Sequence, residues 1–240
     1  MITAVTFDLW DTLVSDRYLG DRVALRRERL RQALAPLGVY PGDEELERAF
    51  GESWRHFDRL WIGEQRTPST AESLDVVLST LGVDAPASVR ASMARTMEDL
   101  VLELPPVPVE GAGELVAELA RDHRLGLISD TGLSPGRALR LVLERLGLLQ
   151  HFTYLYFSDE GGMSKPDPRV FALVLDRIGA RAREAAHVGD ILRTDVVGAQ
   201  RAGMRAVHFV GVNASDADGS TADAVIDRLS DLPRALATLA

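Results

Sequence analysis

Five short apolar runs constrain the fold most, each ending at or just before a polar residue or glycine: Ile2–Phe7 before Asp8, Leu125–Ile128 before Ser129, Tyr154–Phe157 before Ser158, Ala185–Val188 before Gly189, and Ala206–Val210. They are continuous rather than alternating, the pattern of strands covered on both faces in a parallel sheet. Helix signals separate the last four. Ser134-Pro135 opens a helix running to about Leu146 and stopping at Gly147, with the serine as N-cap and the proline in the first turn. Asp167-Pro168 opens a second that ends at Gly179, and a third lies around Asp195–Ala202 before Gly203. Strands alternating with helices predict parallel crossovers and a doubly wound α/β sheet of five or more strands.

The stretch from Ser15 to Glu103 breaks this rhythm, with helical periodicity and no strand. Val23, Leu30, Leu34 and Leu37 share one face, and Leu46, Ala49, Phe50, Phe57, Leu60 and Trp61 share another. Leu74, Val77, Leu78 and Leu81 form a third stripe, and Met93, Met97, Leu100 and Val101 a fourth. A crossover normally needs one helix, so residues 15–105 are expected to form an all-α domain inserted into a core made of 1–14 and 106–240. Pro105-Pro106-Val107-Pro108 is expected to be a stiff return linker.

Composition removes several function classes. The 36 acidic against 27 basic residues give a net charge of −9, so no basic excess exists to displace counterions from nucleic acid or an anionic membrane. The absence of cysteine removes thiolate catalysis and cysteine-ligated metals. No apolar run approaches the roughly 20 residues of a membrane helix. The start MITAVTFDLWDTLV has no basic region, unlike a signal peptide. A cytoplasmic protein, monomeric or a homodimer, is the expectation. All the basic residues but one are arginine, and the exception is Lys165. That points to a place needing a compact ammonium rather than a planar fork.

Ligands of open parallel sheets bind beyond the carboxyl ends of the strands. Those ends carry Asp8, Ser129, the Ser158–Gly162 region with Lys165 just after it, and Gly189-Asp190. Each residue alone has a local explanation: a turn, a strand-end cap, a loop charge, an Asx turn. Together they suit a phosphoryl or similar electrophilic centre, with a carboxylate nucleophile, carboxylates for Mg²⁺, and a hydroxyl and lysine for the phosphoryl oxygens.

The segments FDLWDTL (7–13), LGLISDTG (125–132), GGMSKPDPRVF (161–171) and HVGDILRTDVVGA (187–199) resemble, in order and spacing, the four motifs of the haloacid dehalogenase superfamily of aspartate-nucleophile hydrolases. The resemblance covers nearly the whole chain and implies a Rossmann-like core with a mobile helical cap at 15–105. It implies Asp8 as nucleophile and Mg²⁺ ligand, the Trp10 carbonyl, Asp190 and Asp195 as further metal ligands, and Thr12 fixing the loop. Ser129 and Lys165 then bind the transferred group, while Trp10, Asp130 and Arg17 are candidates for substrate contact. The expected partner is a small anionic molecule, most simply a phosphate ester.

Two positions depart from the pattern. Phosphatases of this superfamily usually place an acid–base aspartate where this chain has Trp10, and indole is a donor only. Asp11 follows, where glycine is common, and either braces the loop or serves as the acid. Haloacid dehalogenases also carry an aromatic at the Trp10 position but need no metal and lack the retained aspartate pair, which makes them the alternative reading. A binding or regulatory protein weakened by Trp10 is a third. A Schiff base on a cap lysine is excluded, since 15–105 contains no lysine. Trp54 and Trp61 are assigned to packing, and His123, His151, His187 and His208 receive no role.

Overall fold

The structure is a computed structural model describing residues 1–16 and 22–239. Its strands are β1 Ala4–Phe7, β2 Val14–Ser15, β3 Val107–Pro108, β4 Arg124–Ser129, β5 Tyr154–Phe157, β6 Ala185–Gly189, β7 Arg205–Phe209 and β8 Ala224–Ile226. Its helices are α1 Arg22–Leu34, α2 Asp43–Asp58, α3 Thr70–Thr80, α4 Ala87–Glu103, α5 Ala112–Leu119, α6 Gly136–Arg145, α7 Ser158–Gly161, α8 Pro168–Ile178, α9 Val197–Arg201 and α10 Leu232–Thr238.

Six strands form one parallel sheet in the order β5-β4-β1-β6-β7-β8. The five apolar runs are its first five members, and β8 is an additional edge strand. The continuous runs resolve into two covered faces. Val5, Phe7, Leu127, Val188 and Val207 pack against α5, α6 and α10 through Leu115, Leu139 and Leu232. Ala4, Ile128, Tyr156, Ala185 and Ala206 pack on the other side with Val170, Phe171 and Val174 of α8. Because all strands point the same way, Asp8, Ser129, Ser158 and Asp190 emerge at one edge of the sheet. There Asp8 N–H donates to the Val188 carbonyl at 2.8 Å.

Helices α1–α4 enclose a third apolar cluster that includes Leu30, Leu34, Leu46, Leu74, Val77, Met93, Met97 and Leu100. Two residues of the first expected stripe leave it, as Val23 is 50% and Leu37 36% exposed. Leu37 falls in a tight 3₁₀ turn after Pro36 rather than in the helix, and Val23 lines the large cavity described below. The expected proline linker is partly strand, with Val107 and Pro108 pairing antiparallel with Ser15 and Val14. A two-stranded ribbon has only edges, where a missing proline N–H is tolerated. No described helix is long and apolar enough to cross a membrane.

Helix starts depart from expectation twice, and one is α9, which begins at Val197 after a π turn over Leu192–Val196 instead of near Asp195. Pro135, not Ser134, occupies the N-cap of α6 and offers no capping side chain. The Asp159 carboxylate of α7 accepts from Gly136 N–H instead, at 3.1 and 3.2 Å. At α8 the expectation holds: Asp167 accepts from Arg169 N–H at 2.9 Å, Pro168 follows, and Gly179 closes the helix at φ 65°. The Arg169 side chain also grips Asp167, and this outweighs burial to hold the carboxyl below its ordinary value. Asp167→Ala is therefore expected to cost about 1 kcal/mol. A depressed carboxylate stabilises fully above its unfolded value and loses that contribution as pH falls through the native one. Thermal melts should show the deficit at pH 7 and a narrower one near pH 3; a deficit that widens in acid would refute the capping account.

Candidate active site

The chain turns as soon as it leaves β1. Leu13 and Val14 N–H both donate to the Leu9 carbonyl (2.9 and 3.0 Å), and Asp11 N–H donates to the Val14 carbonyl at 2.7 Å. So tight a loop puts Asp11 at φ 52°, a left-handed conformation that aspartate and asparagine bear best after glycine. Its Oδ1 accepts from Ser15 Oγ at 2.7 Å, which braces the loop. Thr12 and Ser129 are fully buried, and neither hydroxyl has a partner among the described residues.

Lys165 is buried, with Nζ donating to Asp8 Oδ1 at 2.5 Å and Asp195 Oδ1 at 2.6 Å. Burial alone would lower this ammonium's pKa, but Asp195, Asp8 and Asp130 outweigh it and hold the lysine charged. Burial likewise works against ionised Asp195, yet Lys165 and His187 prevail and keep it well below the usual carboxylate range. Asp8 goes the other way, raised by burial more strongly than Lys165 lowers it. Asp190 is pushed up to about 7, by burial first and then by Asp195. Asp8, Asp190 and Asp195 each offer an oxygen within 4.8 Å of the others, so three buried carboxylates cluster beside one ammonium, which pairs with two of them.

Two histidines without metal-ligand spacing brace this cluster. His187 pairs in register with Thr6; burial lowers its pKa and keeps it neutral. Its Nε2–H then donates to Asp195 Oδ1 at 3.1 Å while Nδ1 accepts from Thr6 Oγ1 at 2.8 Å. His208 stands beside Gly189 in register and donates from Nε2 to the Asp190 carbonyl at 3.0 Å. Asn213 Nδ2 donates to Asp190 Oδ2 at 2.9 Å, whereas Asp190 Oδ1 is buried and unpartnered among the described residues. Gly189 is required here, because a Cβ would meet Asp195 Cγ at 2.3 Å. The signal available in sequence was a histidine inside each of two otherwise apolar runs, Ala185–Val188 and Ala206–Val210.

Beyond the cluster opens a cavity of about 780 Å³, lined by Asp8, Trp10, Asp11, Lys165, Asp190 and Asp195 on one side and by α1 and α2 side chains on another. Trp54 and Trp61 are wall residues rather than packing alone. Trp61 Nε1–H donates to Asp130 Oδ2 at 2.8 Å, and Lys165 N–H donates to Asp130 Oδ1 at 3.1 Å. Asp130, raised to about 6 by burial against the pull of Lys165, thus ties the helical insertion to the lysine loop. Arg17 lies outside the described residues.

A family model described as haloacid dehalogenase-like hydrolase matches residues 2–203. The glyceraldehyde 3-phosphate phosphatase of Methanopyrus kandleri is 30% identical over 238 residues, 98% of this chain and 96% of that protein. Among solved structures, the 2-haloacid dehalogenase of Pseudomonas syringae pv. Tomato DC3000 is 28% identical with a TM-score of 0.74, covering both chains fully. A hydrolase of Bacillus subtilis solved with magnesium bound shares the fold, with a TM-score of 0.67 over 98% of each chain at 19% identity.

Proposed function

This chain belongs to the haloacid dehalogenase-like hydrolases, and from that premise we propose that it is a Mg²⁺-dependent phosphatase of small phosphate monoesters. The observation that carries the reading is the surplus of buried carboxylate: three aspartates cluster around one lysine that pairs with only two of them, and one oxygen of Asp190 has no partner among the described residues. Residues of this kind fit a hard, oxygen-seeking cation. Asp8, the Trp10 carbonyl and Asp190 would hold it, with Asp195 behind them already taking donors on both oxygens. Such an ion supplies charge neutralisation that lets an anionic nucleophile approach an anionic ester.

The remaining steps belong to the chain. An Asp8 carboxylate oxygen attacks phosphorus; the bond to the ester oxygen breaks and an aspartyl-phosphate forms, which water then hydrolyses. Lys165 offsets negative charge on the nucleophile and the phosphoryl oxygens, and the unpartnered Ser129 hydroxyl is the donor assigned to one of them. Asp11, lining the cavity with one oxygen steadied by Ser15, is assigned the proton transfers that Trp10 cannot perform. The M. kandleri relative's phosphatase name agrees with the reading.

A panel of phosphate esters and 2-haloacids, assayed with Mg²⁺ and with chelator, tests it. Phosphate release should vanish on chelation and return with Mg²⁺. Asp11→Asn should slow alkyl esters far more than aryl esters, whose leaving groups need little protonation, by up to the roughly 10²–10⁴-fold typical of a positioned acid. Metal-independent halide release would replace the reading with that of a dehalogenase, and inactivity throughout with that of a binding protein.

A further inference from the structure

Helix α1 brings two arginines to the cavity, Arg22 and Arg26, one turn apart on the same face. Both terminal nitrogens of Arg22 are engaged: its guanidinium pairs with Asp16, donates to the Leu104 carbonyl, and stands 5.9 Å over the Trp10 ring. Those of Arg26 are not. It lines the cavity, its Nε is buried without a partner, and it makes no ion pair or hydrogen bond among the described residues. Asp16, the carboxylate nearest in charge terms, is already taken by Arg22. Burial, with Arg22 adding repulsion, pushes the Arg26 pKa down to about 10, so it remains a cation at neutral pH.

This arrangement by itself costs stability. Like charges at i,i+4 repel, and a half-buried cation without hydrogen-bond acceptors forfeits solvation that nothing among the described residues replaces. Two guanidiniums facing one carboxylate are balanced once one oxyanion joins them, and a guanidinium fork suits a carboxylate or a phosphate. Trp54, Phe57 and Trp61 line the same cavity and supply an apolar flank, which fits a carbon skeleton rather than inorganic phosphate alone.

We propose that Arg26 binds a second oxyanionic group, a carboxylate or a second phosphate, on the ester whose phosphoryl group meets Asp8. The preferred substrates are then small phosphate monoesters with an anionic far end. This rests on the phosphatase reading above and adds its specificity determinant.

The test uses three esters of equal chain length: phosphooxypropionate with a carboxylate end, propanediol bisphosphate with a phosphate end, and propyl phosphate with a neutral end. In the native protein kcat/KM should be higher for at least one charged-end ester than for propyl phosphate, and which one identifies the oxyanion. In Arg26→Met that charged-to-neutral ratio should fall about 10–150-fold, the value of a charge-assisted contact of roughly 1.5–3 kcal/mol. Arg26→Lys should restore part of it. A merely structural arginine would lower all three rates together and leave the ratio unchanged, which overturns the proposal, as does a native protein indifferent to the far end. Calorimetric titration of the same esters, with Mg²⁺, into Asp8→Asn and into Asp8→Asn combined with Arg26→Met separates the two claims. If no ester is hydrolysed by the native protein, the phosphatase reading falls. The ratio of Kd values then decides Arg26, with equal ratios, or no binding at all, counting against it.

Discussion

Asp8→Asn should leave a folded protein whose phosphate release is lowered by roughly 10⁴-fold or more, the scale of losing a nucleophile that acts as a unit with its surroundings. The amide keeps the shape and one acceptor for Lys165 Nζ, now 2.5 Å from Asp8 Oδ1, but cannot attack phosphorus at a useful rate. Folding should not suffer. Burial raises the native pKa of Asp8 above its unfolded value despite Lys165, so its ionised form weakens the metal-free fold increasingly as pH rises above the unfolded carboxylate value. Asparagine removes that penalty, and the metal-free variant should melt no lower than the native protein at pH 7. Phosphate release near the native rate would refute Asp8 as nucleophile.

The edge of the sheet that carries the candidate site was legible in the sequence for a simple reason. A strand buried on both faces is a continuous apolar run, so the first polar residue after it marks where the chain re-emerges. That logic brings Asp8, Ser129 and Asp190 to one place, and the lone lysine follows from its neighbours. Features made by distant pairing were not legible. The ribbon of Val14-Ser15 with Val107-Pro108 is too short for a pattern, and β8 is three residues long. Ser134 carried a cap signal, but the carboxylate at the start of α6 comes from Asp159, 23 residues away. The bond from Trp61 to Asp130 spans 69 residues, and no periodicity could separate that tryptophan from a packing residue. Arg26 is hidden for a different reason: several arginines have a buried nitrogen without a partner among the described residues, and only its place on the cavity wall without an ion pair sets it apart.

Trp10 alters where the chemistry can draw its proton, and the loop geometry accounts for the substitution beside it. With Asp11 held at φ 52°, the turn survives without glycine because an aspartate tolerates that conformation, and the same residue brings a carboxylate to the cavity. Trp10 under Arg22, next to Arg26, adds aromatic and cationic groups to this side of the cavity beside Asp11 and Asp16. The two departures from the family pattern thus lie next to the charged helix that we assign to substrate selection.

Lys165→Met carries the largest expected loss of stability. The side chain is 3% exposed and bonds Asp8 and Asp195; methionine fills similar space without the charge. Breaking a buried pair by removing one partner typically costs about 3–5 kcal/mol, or a melting temperature lower by roughly 6–20 °C for a chain of this size. The loss should depend on pH in a definite direction. In the native protein Asp195 is depressed because Lys165 overcomes burial, so its contribution is complete above the unfolded carboxylate value and disappears only as pH falls toward the native one. Without the ammonium, burial and the neighbouring Asp8 and Asp190 leave Asp195 raised, and a raised carboxylate weakens the fold as pH climbs. The gap between variant and native melts should therefore be wide at pH 8 and narrower at pH 5. Millimolar Mg²⁺ should recover part of it by supplying positive charge to the same three carboxylates, while phosphate release stays at least about 10²-fold down for want of a cation at the transferred group. Lys165→Arg should not restore activity, because a planar fork cannot occupy the point between Asp8 and Asp195 that one nitrogen now fills. A melting deficit that is absent, or identical at both pH values, would mean that Lys165 does not hold Asp195 ionised.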